Sequence, residues 1–197
     1  MTSHEPEITG RIRACRLCAA DFALTVTRHE PRPVVWFRTG ARILIVGQAP
    51  GLRVHESGVP FDDRSGDRLR DWMGIGESVF YDRDRIAIVP MAFCFPGYDA
   101  RGSDLPPPPV CAKTWRAGVL AQLQPRLTLL VGGHAIRWHL GLRDVIALRA
   151  RLQSARGDDP AAAPLERWAR ERRSDAARAA HAFEAINRMF GSDHPAA

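Results

Sequence analysis

The stretch Ala41-Arg42-Ile43-Leu44-Ile45-Val46-Gly47 decides the fold. It is a short apolar run, rich in β-branched residues, that ends at a glycine, a pattern typical of a parallel strand buried on both faces. Two later stretches repeat the pattern: Arg85-Ile86-Ala87-Ile88-Val89-Pro90 and Leu127-Thr128-Leu129-Leu130-Val131-Gly132. We therefore predict three parallel strands at these places, and the sequence indicates no fourth.

Helical stretches separate the three predicted strands. Apolar residues recur on one face from Ser65 to Met73 and again from Thr114 to Leu123, at the spacing of amphipathic helices. Alternating strands and helices imply right-handed crossovers. The sequence therefore predicts an α/β fold, a three-layer αβα sandwich around a short parallel sheet.

Length and composition divide the chain into one compact part and an extension. With 197 residues the chain has enough material for one domain with a proper core. We place the α/β domain in residues 1–150 and an Ala/Arg-rich C-terminal extension in residues 151–197. The apolar spacing from Leu165 to Met189 predicts that this extension supplies helix rather than sheet.

The loop after the first predicted strand is the candidate ligand site, because open parallel sheets bind ligands at the carboxyl ends of their strands. It reads Gly47-Gln48-Ala49-Pro50-Gly51, and it is followed by Pro60-Phe61 and by Ser65-Gly66 at the start of a helix. The glycines permit close backbone approach, and Phe61 offers a ring on which a planar group can stack. The loop matches neither a P-loop nor a G-x-G-x-x-G fingerprint. A phenylalanine at such a position is also compatible with a plain core role.

Four cysteines form a second candidate site: Cys15 and Cys18 as a C-x-x-C pair, then Cys94 and Cys111. The last two lie at either end of the segment from Gly97 to Pro109, whose four consecutive prolines predict an extended surface loop. Four thiolates suit one tetrahedral zinc ion or an iron–sulfur cluster, and spacing alone does not separate the two. The alternative is that the pair arose by chance and the other two cysteines are small core residues.

Charge and compartment narrow the functional class. The formal net charge is +6 with a pI near 9.9, which fits a protein that binds polyanions. Almost all of the basic residues are arginines, and a GC-rich coding sequence would produce the same bias. The alternative is therefore a plain soluble enzyme whose charge does not serve polyanion binding. No apolar run has the character of a signal peptide or membrane span, so we expect a cytoplasmic protein without membrane attachment or disulfides. We also expect a monomer.

The chain resembles the uracil-DNA glycosylase superfamily, most closely its bacterial iron–sulfur branch, usually called family 4. That branch carries G-E-A-P-G and then G-x-P-F-x-x-x-A-G at the same offset as G-Q-A-P-G and G-V-P-F-D-D-R-S-G here. It also carries an N-terminal C-x-x-C, a third cysteine just after the second strand and a fourth about sixteen residues on. The cysteines at 15, 18, 94 and 111 match this arrangement.

The resemblance implies a fold, a cofactor and a reaction. It implies an αβα sandwich around four parallel strands, a [4Fe–4S] cluster on the four cysteines, and excision of uracil or a related base flipped out of uracil-containing or single-stranded DNA. It assigns water activation to Gln48–Gly51. A flipped pyrimidine also needs hydrogen bonds at its edge, which we expect the backbone of Gln48 and Ala49 to provide. Phe61 would stack on the base, while Ser65, Gly66 and the helix that they open would grip a phosphate.

The chain departs from the family pattern at three places. Val54-His55 stands where the family often has an acidic pair, and Val89-Pro90-Met91 where it has an asparagine that reads the pyrimidine edge. The only His-Pro pair, His194-Pro195, comes in the last residues. We add His55 to the catalytic candidates, because we place it in a loop that faces the pocket. Two alternatives stay open: a non-catalytic DNA- or nucleotide-binding member of the same fold, and a zinc-stapled hydrolase unrelated to DNA.

Overall fold

A computed structural model describes residues 4–140 of the chain. Two short helices come first, α1 (Ile8–Arg13) and α2 (Ala19–Ala23), and an extended segment leads from them to strand β1 (Ile43–Val46). The predicted helix Leu165–Met189 and the pair His194-Pro195 lie outside the described residues.

A parallel three-stranded sheet forms the centre of the described part. After β1 come α3 (Leu52–Ser57), α4 (Arg64–Met73), α5 (Glu77–Phe80) and strand β2 (Ile86–Ile88). Then follow α6 (Pro109–Cys111), a π-helical segment (Ala112–Arg116), α7 (Ala117–Leu120), strand β3 (Leu127–Leu130) and α8 (Gly133–Leu140). The strand order is β2-β1-β3.

All three predicted strands are confirmed, each slightly shorter than its apolar run. Ile43 pairs with Ile86 on one side and with Leu127 on the other, so β1 is the central strand. The fourth strand that the resemblance implies is not among residues 4–140.

Both faces of β1 are buried, and this creates the three layers. Leu44 and Val46 point into one core, which Ile12, Trp115 and Val119 complete from α1, the π-helical segment and α7. The alternate residues Ile43 and Ile45 point into a second core with side chains of α4 and α5: Leu69, Met73 and Phe80. Side chains alternate between the faces of a strand, so a continuous apolar run is what a central strand needs. The αβα sandwich is therefore confirmed.

The helix predicted from Thr114 to Leu123 differs from the observed one. Helical structure begins five residues earlier, at Pro109, and it ends at Leu120. A proline is favoured at a first helical position because its missing N–H would have no helical partner there. The preceding residues from Gly97 form an irregular loop, as predicted, with one antiparallel bridge between Tyr98 and Asp104.

The described helices are short. None of those within residues 4–140 has the length and apolarity that crossing a membrane requires.

Helix α4 packs unusually closely on the segment before it. A Cβ atom placed on Gly66 would lie 1.8 Å from the carbonyl oxygen of Phe61, far inside van der Waals contact. Only glycine lets the first turn of α4 approach the Phe61 backbone this closely.

We expect Gly66→Ala to lower the free energy of unfolding by about 3 kcal/mol, because the backbone must move to relieve the clash. Urea unfolding followed by circular dichroism measures the change. Gly10→Ala in α1 is the matched control: a Cβ there meets nothing within 4 Å, and alanine should stabilise a helix interior by about 0.5–1 kcal/mol. Equal effects of the two substitutions would contradict the close approach.

Candidate functional site

The loop after β1 is fixed to the segment after β2 through its carbonyl groups. The carbonyl of Gly47 accepts from the N–H of Met91 at 3.0 Å, and the carbonyl of Gln48 accepts from the N–H of Ala92 at 3.1 Å. No acceptor within residues 4–140 binds the N–H groups of Gln48 and Ala49. The loop is therefore held from one side while two of its donors stay available to a ligand.

The side chain of Gln48 lies across Gly132, at the carboxyl end of β3. A Cβ atom on Gly132 would come within 2.7 Å of Gln48 Cγ, and the backbone of Gly132 has a φ of +93°. Gly132 therefore makes room for the glutamine, which is itself exposed. Sequence analysis missed this contact, although Gly132 ends its strand as Gly47 ends β1.

Phe61 lies against the same loop. A Cβ atom on Gly47 would lie 3.3 Å from Cζ of the Phe61 ring, so the structure brings the two predicted residues together. The ring is half-buried and meets Phe80 edge to face, with centroids 6.0 Å apart. It is thus partly a core residue and partly an accessible platform.

Two side chains that sequence analysis missed hold the backbone of Phe61. Arg70 Nη1 lies 3.4 Å and Tyr81 Oη 3.3 Å from the Phe61 carbonyl oxygen, and both donate to it. Arg70 is buried at 8 % exposure, and burial raises the pKa of the Tyr81 hydroxyl. The available signal was an arginine on the apolar face of α4, beside Leu69.

The amino end of α4 does not present free donors to a phosphate. The carboxylate of Asp63 accepts from the backbone N–H of Ser65 at 2.8 Å and from that of Gly66 at 3.1 Å. Ser65 Oγ also donates to Asp63. Asp63 is therefore the N-cap of α4, and the phosphate contact expected of Ser65 and Gly66 stays a prediction. The exposed neighbours Arg64 and Arg68 are the cations on this helix that solvent reaches.

His55 lies on helix α3, not in a loop as predicted. Its ring contacts His29, with centroids 5.1 Å apart, and Phe95 at 5.9 Å. Burial lowers the pKa of His55, with the neighbouring His29 adding to the effect. Its Nδ1 atom is buried without a partner within residues 4–140. His55 is thus neutral at pH 7 and belongs to an aromatic cluster that joins α3 to the N-terminal segment.

A buried arginine lies behind the segment that replaces the base-reading asparagine. Arg116, 2 % exposed, donates to the carbonyl of Pro90 at 3.2 Å and to Nε2 of His139 at 2.5 Å. Burial lowers the pKa of Arg116 to about 10. Pro90 itself offers neither an N–H nor a side-chain donor. Sequence analysis did not single out Arg116.

The four cysteines line one pocket, shared with Phe22, Trp115 and several prolines. Burial raises the pKa of Cys94 to about 12 and that of Cys111 to about 11. The N–H of Phe93 donates to Cys111 Sγ at 3.5 Å, and the backbone of Arg32 donates to the Cys94 sulfur. In residues 4–140 no three Cys, His, Asp or Glu side chains are grouped as ligands of a single ion.

The chain matches the model of a known protein family. The family model described as the uracil DNA glycosylase superfamily matches residues 35–197, more than four-fifths of the chain. The match includes the sheet, the loop after β1, Phe61, Cys94 and Cys111, while Cys15 and Cys18 precede it. Members of this superfamily act on DNA. The chain belongs to the uracil DNA glycosylase superfamily.

Proposed function

We propose that this protein is a base-excision glycosylase that hydrolyses the N-glycosidic bond of uracil, or of a related damaged base, in DNA. One observation carries the proposal: the Phe61 ring lies against Gly47, next along the chain to the N–H groups of Gln48 and Ala49, which bind no acceptor within residues 4–140. A flipped pyrimidine needs an aromatic face on one side and hydrogen-bond donors at its edge. Phe61 and the loop after β1 together offer the aromatic face and the donors, in a chain that belongs to this superfamily.

The same donors suit the chemistry of the step. Cleavage leaves an oxocarbenium-like sugar and an anionic base, so donors fixed near the base lower the barrier. The N–H groups of Gln48 and Ala49 would supply them, because the loop is already held through its carbonyls. Gln48 also carries an amide that can orient the attacking water, although an amide takes no proton from that water at neutral pH.

Two features make the proposed enzyme a slow one. The segment Val89-Pro90-Met91 stands where the family has its base-reading asparagine, and Gln48 stands where the iron–sulfur branch has a glutamate. Losing one donor to the developing anion commonly costs about 10²–10³ in rate. These features also favour the second candidate, a non-catalytic DNA-binding member of the same fold.

DNA is the partner of the proposed activity. The net charge of +6 attracts a polyanion, and Arg53, Arg64 and Arg68 are exposed near the candidate site. Arg53 lies 3.6 Å from Asp62, with its side chain 71 % exposed. Such a surface pair is weak, so this arginine can exchange its carboxylate for a phosphate.

We further propose that Cys15, Cys18, Cys94 and Cys111 hold a [4Fe–4S] cluster. Three observations support the proposal: all four cysteines line one pocket, the N–H of Phe93 donates to Cys111 Sγ, and the buried indole N–H of Trp115 has no partner in the described part. N–H donors to sulfur are typical of iron–sulfur sites. When bound, the cluster would cross-link the N-terminal helices to both ends of the Pro-rich loop.

The cluster predicts a colour and a metal content. Protein purified without oxygen should be brown, absorb broadly near about 400 nm and contain about four irons per chain. Cys111→Ser should lose iron and unfold at lower temperature, because the cluster couples segments distant in sequence. Val110→Ser, an exposed neighbour in the same pocket wall, keeps all four sulfurs and should keep the iron. Stoichiometric zinc without iron would overturn the cluster and favour the zinc-stapled alternative.

Phe61→Ala should weaken binding to an oligonucleotide with one extrahelical uracil by about 1–3 kcal/mol, the usual value of one stacked base. Fluorescence anisotropy measures the affinity and thermal unfolding measures the stability. Phe37→Leu is the control: Phe37 lies in the core at 0 % exposure, so this change should lower stability and leave DNA affinity unaltered. If Phe61→Ala behaves like Phe37→Leu, Phe61 is a core residue only.

Uracil release should be slow on duplex DNA and faster on a single-stranded oligonucleotide, where flipping costs least. Gln48→Glu should raise the rate at least tenfold, since a carboxylate accepts the proton of the attacking water, and Gln48→Ala should lower it. Alkaline cleavage of the abasic product measures the rate. Gln124→Glu adds the same charge before β3, at the opposite edge of the sheet, and should change nothing. A rate indifferent to Gln48 would place the attacking water elsewhere.

His55→Ala separates two roles for this histidine in the same assay. If His55 donates a proton to the leaving base, its removal should abolish residual turnover and leave DNA affinity nearly unchanged. Reduced stability with undiminished turnover would instead assign His55 to the aromatic cluster with His29 and Phe95.

A further inference from the structure

The backbone of Phe61 has a conformation that a bulky residue rarely adopts. Its φ is +56°, in the left-handed region, and only one other described non-glycine residue, Arg28, has a positive φ. Such a conformation persists only where the surrounding structure holds it, and it is concentrated at functional sites. The conformation matters here because it sets the direction of the Phe61 ring.

The carbonyl of Phe61 is the atom that the surroundings hold. Arg70 Nη1 and Tyr81 Oη donate to it at 3.4 and 3.3 Å, and they lie 3.0 Å from each other. The backbone of α4 at Gly66 covers a third side of this oxygen, and it can lie so close because Gly66 has no side chain. One carbonyl is thus fixed by two side chains from separate elements and by a helix.

Arg70 is itself held rigidly. Its Nη2 atom lies 2.6 Å from Asp67 and 3.4 Å from Glu77. Its guanidinium stands over the ring of Phe80 at 5.4 Å and over that of Tyr81 at 5.5 Å. A buried cation with two carboxylates and two aromatic faces has few alternative positions. A packed apolar residue would have filled the same space without the desolvation cost of a buried charge.

We propose that Arg70 and Tyr81 are positioning residues: by gripping the Phe61 carbonyl, they fix the Phe61 ring against Gly47 as the stacking face for a flipped base. The inference rests on the proposed function. Neither side chain needs to touch DNA. Their effect would pass through the left-handed turn at Phe61, so loosening the grip would let the ring leave the loop after β1.

The test compares two single-stranded oligonucleotides, one with a central 2′-fluoro-2′-deoxyuridine, whose fluorine prevents cleavage, and one with a tetrahydrofuran abasic site at the same place. The ratio of their dissociation constants isolates the contribution of the base. We expect about tenfold for the unaltered protein, which corresponds to one stacked base, and a ratio near one for Phe61→Ala. Tyr81→Phe, which removes one oxygen, should lower the ratio to about threefold, and Arg70→Met should bring it near one. Tyr98→Phe, in the Pro-rich loop, is the matched control and should keep the full ratio.

A double-mutant cycle distinguishes positioning from general stability. Added to Phe61→Ala, neither Tyr81→Phe nor Arg70→Met should lower the ratio further, because the residue through which they act is gone. A wild-type ratio in both single variants would overturn the proposal. Where Arg70→Met does not fold, Tyr81→Phe alone decides.

Hydrogen exchange separates this proposal from the proposed function. Amides of residues 58–63 should exchange about tenfold faster in Tyr81→Phe, while those of β2 stay protected. A protein that makes no distinction between the two oligonucleotides but shows this acceleration retains the grip and loses the glycosylase assignment. Unchanged exchange at residues 58–63 would overturn the grip, whatever the DNA result.

Discussion

The pairing of β1 between β2 and β3 is the constraint on which the described structure depends. Ile43 and Ile45 face one core and Leu44 and Val46 the other, so the strand is buried on both sides and bonded along both edges. Parallel pairing brings the carboxyl ends of all three strands to one edge of the sheet. The loop after β1, the segment after β2 and Gly132 after β3 meet there for that reason.

Local sequence was sufficient to predict the layers and the main loop, because both follow from short-range patterns. The apolar run at 41–47 has only one stable place, in the centre of a sheet, and Gly47 and Phe61 proved to be in contact. The grip of Arg70 and Tyr81 on the Phe61 carbonyl joins residues up to 20 positions apart. No periodicity encodes it. His55 shows the same limit. Its helix has only six residues, too few to form on propensity alone, and its ring contacts His29 and Phe95, which are distant in sequence.

The two candidate sites differ in their electrostatic surroundings. At the loop after β1, the N–H groups of Gln48 and Ala49 bind no acceptor in the described part of the chain, and nearby arginines are exposed, as a polyanionic substrate requires. Around Cys94 and Cys111 the surroundings are apolar, and free thiols there are held in the neutral form. A pocket of this kind favours thiolates only when a metal supplies the compensating positive charge. The cysteines therefore fit metal ligands that cross-link the chain better than they fit reactive thiols.

The extended segment before β1 has a consequence for how the sheet can grow. The carbonyl of Trp36 accepts from the N–H of Ile88 at 2.7 Å, and the N–H of Val34 donates to Phe93 at 2.8 Å. The outer edge of β2 is thus occupied by the protein's own chain. Strand addition from a second molecule, the usual route from exposed edges to intermolecular sheets, is blocked on that side. Within residues 4–140, β3 pairs only with β1, so its other edge is where a further strand can join the sheet.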